Sequence, residues 1–236
     1  MYDTIPIQAM ITADRLDPDP ARPATLAAEL CAWFATLPYI QRVAQFGSLV
    51  QGTADRWSDL DIFVVPARRR DTRAALAALN EHKPFLYHAP VRKSEKHPGA
   101  NALSITFADE SPFHCLDLNF IALADYAMPK AIDWLEPVRD CYGAPTGGIV
   151  AEAGDDYPFD ALDAREMAID GACFWTRRAA KGLLRGKSGR DLLERRHGEL
   201  VAALRGTPDD CAMAGGNVCR AGRVWLAVAA VLLRST

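Results

Sequence analysis

The chain has 236 residues, half of them hydrophobic and about a quarter charged, with a formal net charge of −3. That balance suits a buried core and lacks the basic surplus of nucleic-acid-binding surfaces, so no nucleic-acid partner is expected. The opening residues Met1-Tyr2-Asp3-Thr4 lack the basic start and apolar core of a signal peptide. The longest apolar run, Val224 to Leu233, is about half of the ~20 residues that cross a bilayer. A cytoplasmic protein with no membrane partner is expected.

Pro20 to Pro23 break the chain ahead of Thr25, which reads as the N-cap of a helix over 26–37 with Leu26, Leu30, Phe34 and Leu37 on one stripe. A strand-like run from Ile40 to Phe46 ends in Gly47-Ser48. A short connection with Gly52 follows, and then Ser58-Asp59-Leu60-Asp61 opens the apolar run Ile62-Phe63-Val64-Val65. Residues 70–80 read as a helix, and 85–88 and 104–107 as short strands. After a turn at Asp109-Glu110-Ser111-Pro112, residues 113–121 read as a strand with Asp117 and Asn119 on one face. The glycine- and proline-rich stretch 143–148 reads as a boundary. Beyond it, residues 161–186, 189–205 and 217–234 read as helices. The predicted architecture is α+β: a small mixed sheet with flanking helices over 1–148, then an all-helical bundle over 149–236.

Six cysteines carry no Cys-x-x-Cys pair and no histidine cluster, so a structural zinc site is not expected and the thiols are read as reduced.

The chemistry concentrates between residues 46 and 65. Side chains alternate along a strand, so Asp59 and Asp61 point the same way, about 7 Å apart at ~3.3 Å per residue. Two carboxylates so placed suit hard divalent cations, which bind oxygen ligands and share them with phosphates. Gly47 and Ser48 offer backbone N–H groups and a hydroxyl with no bulk in the way of a phosphate.

The segment Gly47-Ser48, Gly52, Ser58-Asp59-Leu60-Asp61 resembles the signature of the polymerase-β-like nucleotidyltransferase superfamily. In character it is nearest the small bacterial members that modify aminoglycoside or lincosamide antibiotics. Many members carry an arginine right after Gly-Ser, where this chain has Leu49-Val50-Gln51. The resemblance covers about the first 125 residues. It implies transfer of a nucleoside monophosphate, AMP from ATP, to a small-molecule hydroxyl with two Mg2+ ions, and with it a role in antibiotic resistance. Gly47, Ser48 and Ser58 would then lie at the nucleotide, and Asp59 and Asp61 at the metals.

A third carboxylate normally completes the second metal site and takes the proton of the attacking hydroxyl. Asp117, set in an apolar strand where a lone charge is costly, is the candidate; Asp109 and Glu110 are the fallback. In the helix over 161–186, Glu166, Asp170, Arg177 and Lys181 share one face, with Arg185 at its edge. That order also complements the helix dipole. The resemblance implies that Lys181, and less directly Arg177, reach the phosphates.

From Glu152 to Asp170 there are seven acids and one base, Arg165. Such a run can draw a cationic acceptor or can be a solvated face; Glu166 and Asp170 are the candidate acceptor contacts. Rival readings are adenylylation of a partner protein, an RNA-end transferase, and a non-catalytic nucleotide-binding relic. Oligomeric state is left open.

Overall fold

The computed structural model describes residues 11–88, 92–94, 97–121, 137–143, 163–207 and 218–235. In chain order these form α1 (Ala13–Leu16), α2 (Arg22–Phe34), β1 (Ile40–Gln45), α3 (Gly47–Gln51), β2 (Leu60–Pro66), α4 (Asp71–His82), β3 (Phe85–His88), β4 (Arg92–Ser94), β5 (His97–Phe107), β6 (Leu116–Ile121) and β7 (Arg139–Tyr142). Three longer helices follow: α5 (Ala164–Leu184), α6 (Arg190–Leu204) and α7 (Val218–Ser235). The strands make one mixed sheet in the order β3-β5-β6-β2-β1-β7, with β4 paired to β5. Only β2 and β6 run parallel; every other described pairing is antiparallel. The chain is therefore α+β, a small mixed sheet with flanking helices followed by a helical region.

β2 holds the centre because it is apolar on both faces. Leu60, Ile62 and Val64 point into a core closed by Leu26, Leu30 and Phe34 of α2 and Ala75 and Leu79 of α4. Phe63 and Val65 point the other way, onto Ala44 and Ile121. The two acids of the motif stand at the opening end of that second face.

Helix α2 starts earlier than expected. Pro23 lies in its first turn, where a missing N–H removes no intrahelical bond, so the proline opens the helix instead of preceding it. Thr25 is not the cap; its Oγ1 donates back to the Ala21 carbonyl at 3.1 Å. The span 47–51, expected as an irregular turn, winds into the short α3 and ends at Gly52 in the left-handed conformation. The predicted 104–107 strand is the end of a longer one. Most of the boundary at 143–148 lies outside the described residues, so nothing there tests the division at 148.

α5, α6 and α7 pack on one another through Ile169, Cys173, Ala180, Leu193, Leu200, Val224 and Val228. The same buried cluster takes in Leu86, Tyr87 and Phe113 from the sheet half. Trp225 of α7 makes the joint: its Nε1 donates to the Tyr87 hydroxyl at 2.6 Å, and its ring meets Phe113 edge-on at 5.6 Å. Among the described residues no helix is long and apolar enough to cross a membrane.

Glu110 is a second joint. Buried at the turn before β6, it accepts from Arg22 Nε at 3.1 Å and pairs with Lys83 Nζ at 2.8 Å, while His114 Nδ1 stands 3.8 Å away. Burial alone would raise its pKa, but these partners outweigh it and hold the carboxyl well below the usual range. A folded pKa below the unfolded value gives stability that is present above pH ~4.3 and lost as pH falls below it. Glu110→Gln should cost about 2 kcal/mol. That is less than the ~3–5 kcal/mol of a fully buried pair, because Arg22 keeps Glu29 and Lys83 keeps Asp109. At ~2–4 °C per kcal/mol for a chain of this size, Tm should drop by about 4–8 °C at pH 7. An unchanged Tm in thermal unfolding would show the cluster to be energetically silent. These bonds also remove Glu110 from the fallback bases.

Candidate active site

The geometry begins with register. In the parallel pair β2/β6, Asp61 lies opposite Asp117, and paired residues on neighbouring strands project from the same face. Asp59, two residues before Asp61, joins them on that face. β5 adds Ser104, opposite Asp117 on the far side of β6, and its hydroxyl donates to Asp117 Oδ1. The loop ahead of β2, β2 itself and β6 thus each bring one carboxylate to this face.

Gly47 closes the fourth side. It sits at φ +68°, and a Cβ there would stand 2.7 Å from Asp61 Cγ and closer still to Oδ2. Only a residue without a side chain fits between the β1–α3 turn and the Asp61 carboxylate. The same turn is held by Phe46 N–H donating to the Asp61 carbonyl at 3.1 Å. Ser48 follows Gly47 in the first turn of α3.

Helix α5 covers the acids with a row of bases one turn apart. Lys181 Nζ donates to Asp59 Oδ1 at 2.6 Å. Arg177 Nη1 lies 3.7 Å from the same oxygen, and its Nη2 lies 3.9 Å from Asp117 Oδ1. Arg185 forks onto Asp55, with Nε to Oδ2 and Nη2 to Oδ1 both at 2.6 Å. Asp55 in turn accepts from Ser58 Oγ at 3.0 Å and from Trp57 N–H at 3.1 Å, which shapes the loop that delivers Asp59. Ser58 is buried in this loop and spends its hydroxyl there, receiving Asp55 N–H at 2.8 Å.

The electrostatics follow from the crowding. Burial, then the Asp117 and Asp59 charges, push Asp61 up to about 7. Burial, with Asp59 beside it, also raises Asp117, against the pull of Arg177. Burial would raise Asp59 too, but Lys181 and Arg177 outweigh it and bring its pKa below the ordinary value. Lys181 is lowered by burial despite its partner.

This donor set suits a hard divalent cation: carboxylate oxygens, half-buried, repelling one another. The arrangement is nonetheless not a ready cage. Among the described residues no group of three or more acid, histidine or cysteine side chains is placed to hold a metal ion. Asp59 is turned to Lys181 instead.

The structure thus brings together Gly47, Ser58, Asp59, Asp61, Asp117, Arg177 and Lys181, with Ser48 beside Gly47. It gives Glu166 a different place. That side chain is buried and accepts from Asp163 N–H at 3.0 Å, completing a capping box with Glu166 N–H on Asp163. An expected acceptor contact is therefore a helix cap. The Ser/Thr/Asp-x-x-Glu spacing, Asp163 to Glu166, was the signal for it. Asp170 is half-buried on the same helix; residues 152–162 of the acidic run lie outside the described residues. Sequence reasoning missed Asp55 and Ser104, and placed Arg185 only at the margin.

Residues 29–98 match the family model of the nucleotidyltransferase domain. The match spans under a third of the chain and includes Gly47, Ser48, Ser58, Asp59 and Asp61, but neither Asp117 nor α5. It supports the polymerase-β-like superfamily and, with it, nucleotidyl transfer as the class of activity: the protein is a transferase. No curated protein matches the chain.

Proposed function

We propose that this protein transfers a nucleoside monophosphate, AMP from ATP, to a hydroxyl of a small molecule and releases pyrophosphate. The observation that carries the reading is the meeting of Asp59, Asp61 and Asp117 under the basic row of α5. Asp59, Asp61 and Asp117 would hold Mg2+, which when bound supplies positive charge to the triphosphate and to the attacking hydroxyl. Gly47 leaves the turn open to phosphate oxygens, and Ser48 stands next in line. Arg177 and Lys181 supply positive charge above the acids, where a triphosphate would lie. Asp117 is the base that receives the hydroxyl proton. Its raised pKa suits that task, since a base works best when its pKa approaches the working pH.

The acceptor belongs to the aminoglycoside or lincosamide class under this reading, with antibiotic resistance as the consequence and Asp170 as the remaining candidate contact to a cationic group. The helical bundle supplies its wall, and the whole acts as two units divided near residue 148.

The test is transfer from α-32P-labelled nucleoside triphosphates, with Mg2+, to a panel of hydroxyl acceptors, read as labelled acceptor and released pyrophosphate. Asp117→Asn should abolish transfer while nucleotide binding persists through Asp59 and Asp61. No labelled product with any donor or acceptor defeats the reading. Near-normal transfer by the Asp117 variant removes it as base.

A further inference from the structure

The acid site has the right donors for a divalent ion and the wrong arrangement. A single side chain already holds one of those donors. Lys181 Nζ stands 2.6 Å from Asp59 Oδ1, only 5% of the residue is exposed, and Arg177 backs it at 3.7 Å from the same oxygen. We infer that Lys181 is the built-in counter-ion of the acid site, and that a divalent cation takes Asp59 Oδ1 only by displacing it. The inference rests on the reading of Asp59, Asp61 and Asp117 as metal ligands.

An ammonium at hydrogen-bond distance and a divalent cation at about 2.1 Å cannot share one carboxylate oxygen without strong mutual repulsion. Removing the ammonium outright would leave the acids with Arg177 alone as counter-charge until the metal arrives. The exchange of one cation for the other therefore keeps a positive charge on Asp59 at each stage. Lysine suits this role, since its point charge rides on a flexible four-carbon stem.

One turn further, at the C-cap of α5, the two-pronged Arg185–Asp55 pair ties the helix to the loop that carries Asp59. That tie lets Lys181 leave by a swing of its side chain while the helix stays docked. The released ammonium is then available to the triphosphate. Metal entry and phosphate binding become one coupled event.

The probe is Mn2+ alone, titrated into full-length protein and followed by the paramagnetic signal of the free ion. Lys181→Met keeps the length of the stem and removes the charge; it should bind Mn2+ at least tenfold more tightly than the wild type, with Asp59→Asn as the variant that loses binding. A second measurement needs no variant. Amine acylation of the wild type, mapped by mass spectrometry, should show Lys181 protected without metal and labelled once Mn2+ is added, while exposed Lys187 stays constant. If Lys181→Met binds Mn2+ no more tightly than wild type, or Lys181 labelling ignores the metal, the displacement is wrong although the metal site stands. If neither protein binds Mn2+ even with a non-hydrolysable triphosphate, the metal assignment falls and takes this inference with it.

Discussion

Asp61→Asn should lower nucleotidyl transfer by about a thousandfold while leaving the fold intact. Asparagine keeps nearly the same volume and removes one charged oxygen ligand. Neutralising and positioning the phosphates supply almost all the catalysis of phosphoryl transfer, and about 4 kcal/mol of lost stabilisation corresponds to that factor. The same substitution should not destabilise the protein in metal-free buffer. Burial and the Asp117 and Asp59 charges push Asp61 up to about 7, against ~3.9 in an unfolded chain. As pH rises between those values the folded state holds a proton the unfolded state has lost, so wild-type stability falls across that window. The variant lacks that loss, and its Tm at pH 8 should equal or exceed the wild type's. Steady-state kinetics and thermal unfolding together decide the matter. Retained turnover would show that Asp61 is not a ligand, and a large fall in Tm would show that it serves the fold.

The motif was readable because three local signals agree: an apolar strand, a glycine where the chain must turn tightly, and carboxylates two residues apart. Each depends only on neighbours in sequence. The longer helices were readable for a similar reason, since a 3.6-residue period repeats within each. What failed was everything set by distant partners. β7 is an exposed Arg-Asp-Cys-Tyr segment with no strand pattern of its own; it is a strand because the edge of β1 pairs with it. The start of β5 carries Pro98, Gly99 and Asn101, all poor strand formers, and is held by β4 and β6.

The site divides the same way. Asp117 could be proposed from the cost of an isolated charge in an apolar strand, but its register opposite Asp61 depends on a crossover through β3 and β5. Asp55 and Arg185 meet across 130 residues, and no local spacing connects them. Glu166 shows the converse error. Its position on the helical wheel suggested a surface for a ligand, whereas the local rule of the capping box already accounted for it. A face of charges on a helix carries functional weight only after its caps and its dipole have been subtracted.

Gly47→Ala and Gly52→Ala separate the demands that the motif loop makes on its two glycines. Both residues have positive φ, +68° and +71°, so alanine at either position is strained, by about 1–3 kcal/mol. The surroundings differ. A Cβ on Gly52 meets nothing within 4 Å, whereas on Gly47 it would overlap the Asp61 carboxylate. Gly52→Ala should therefore lower Tm yet keep transfer within a few-fold of wild type. Gly47→Ala should lose a similar amount of stability from φ and, in addition, drop kcat/KM for the nucleotide by about a hundredfold, since moving a catalytic group by ~1 Å is enough for such a loss. Unfolding curves measure the strain they share, and kinetics measure the contact they do not. If the two variants lose activity equally, the loop's backbone shape matters and the Gly47–Asp61 approach does not. If only Gly47→Ala is inactive, the glycine of the Gly-Ser pair exists to let Asp61 stand where the phosphates arrive.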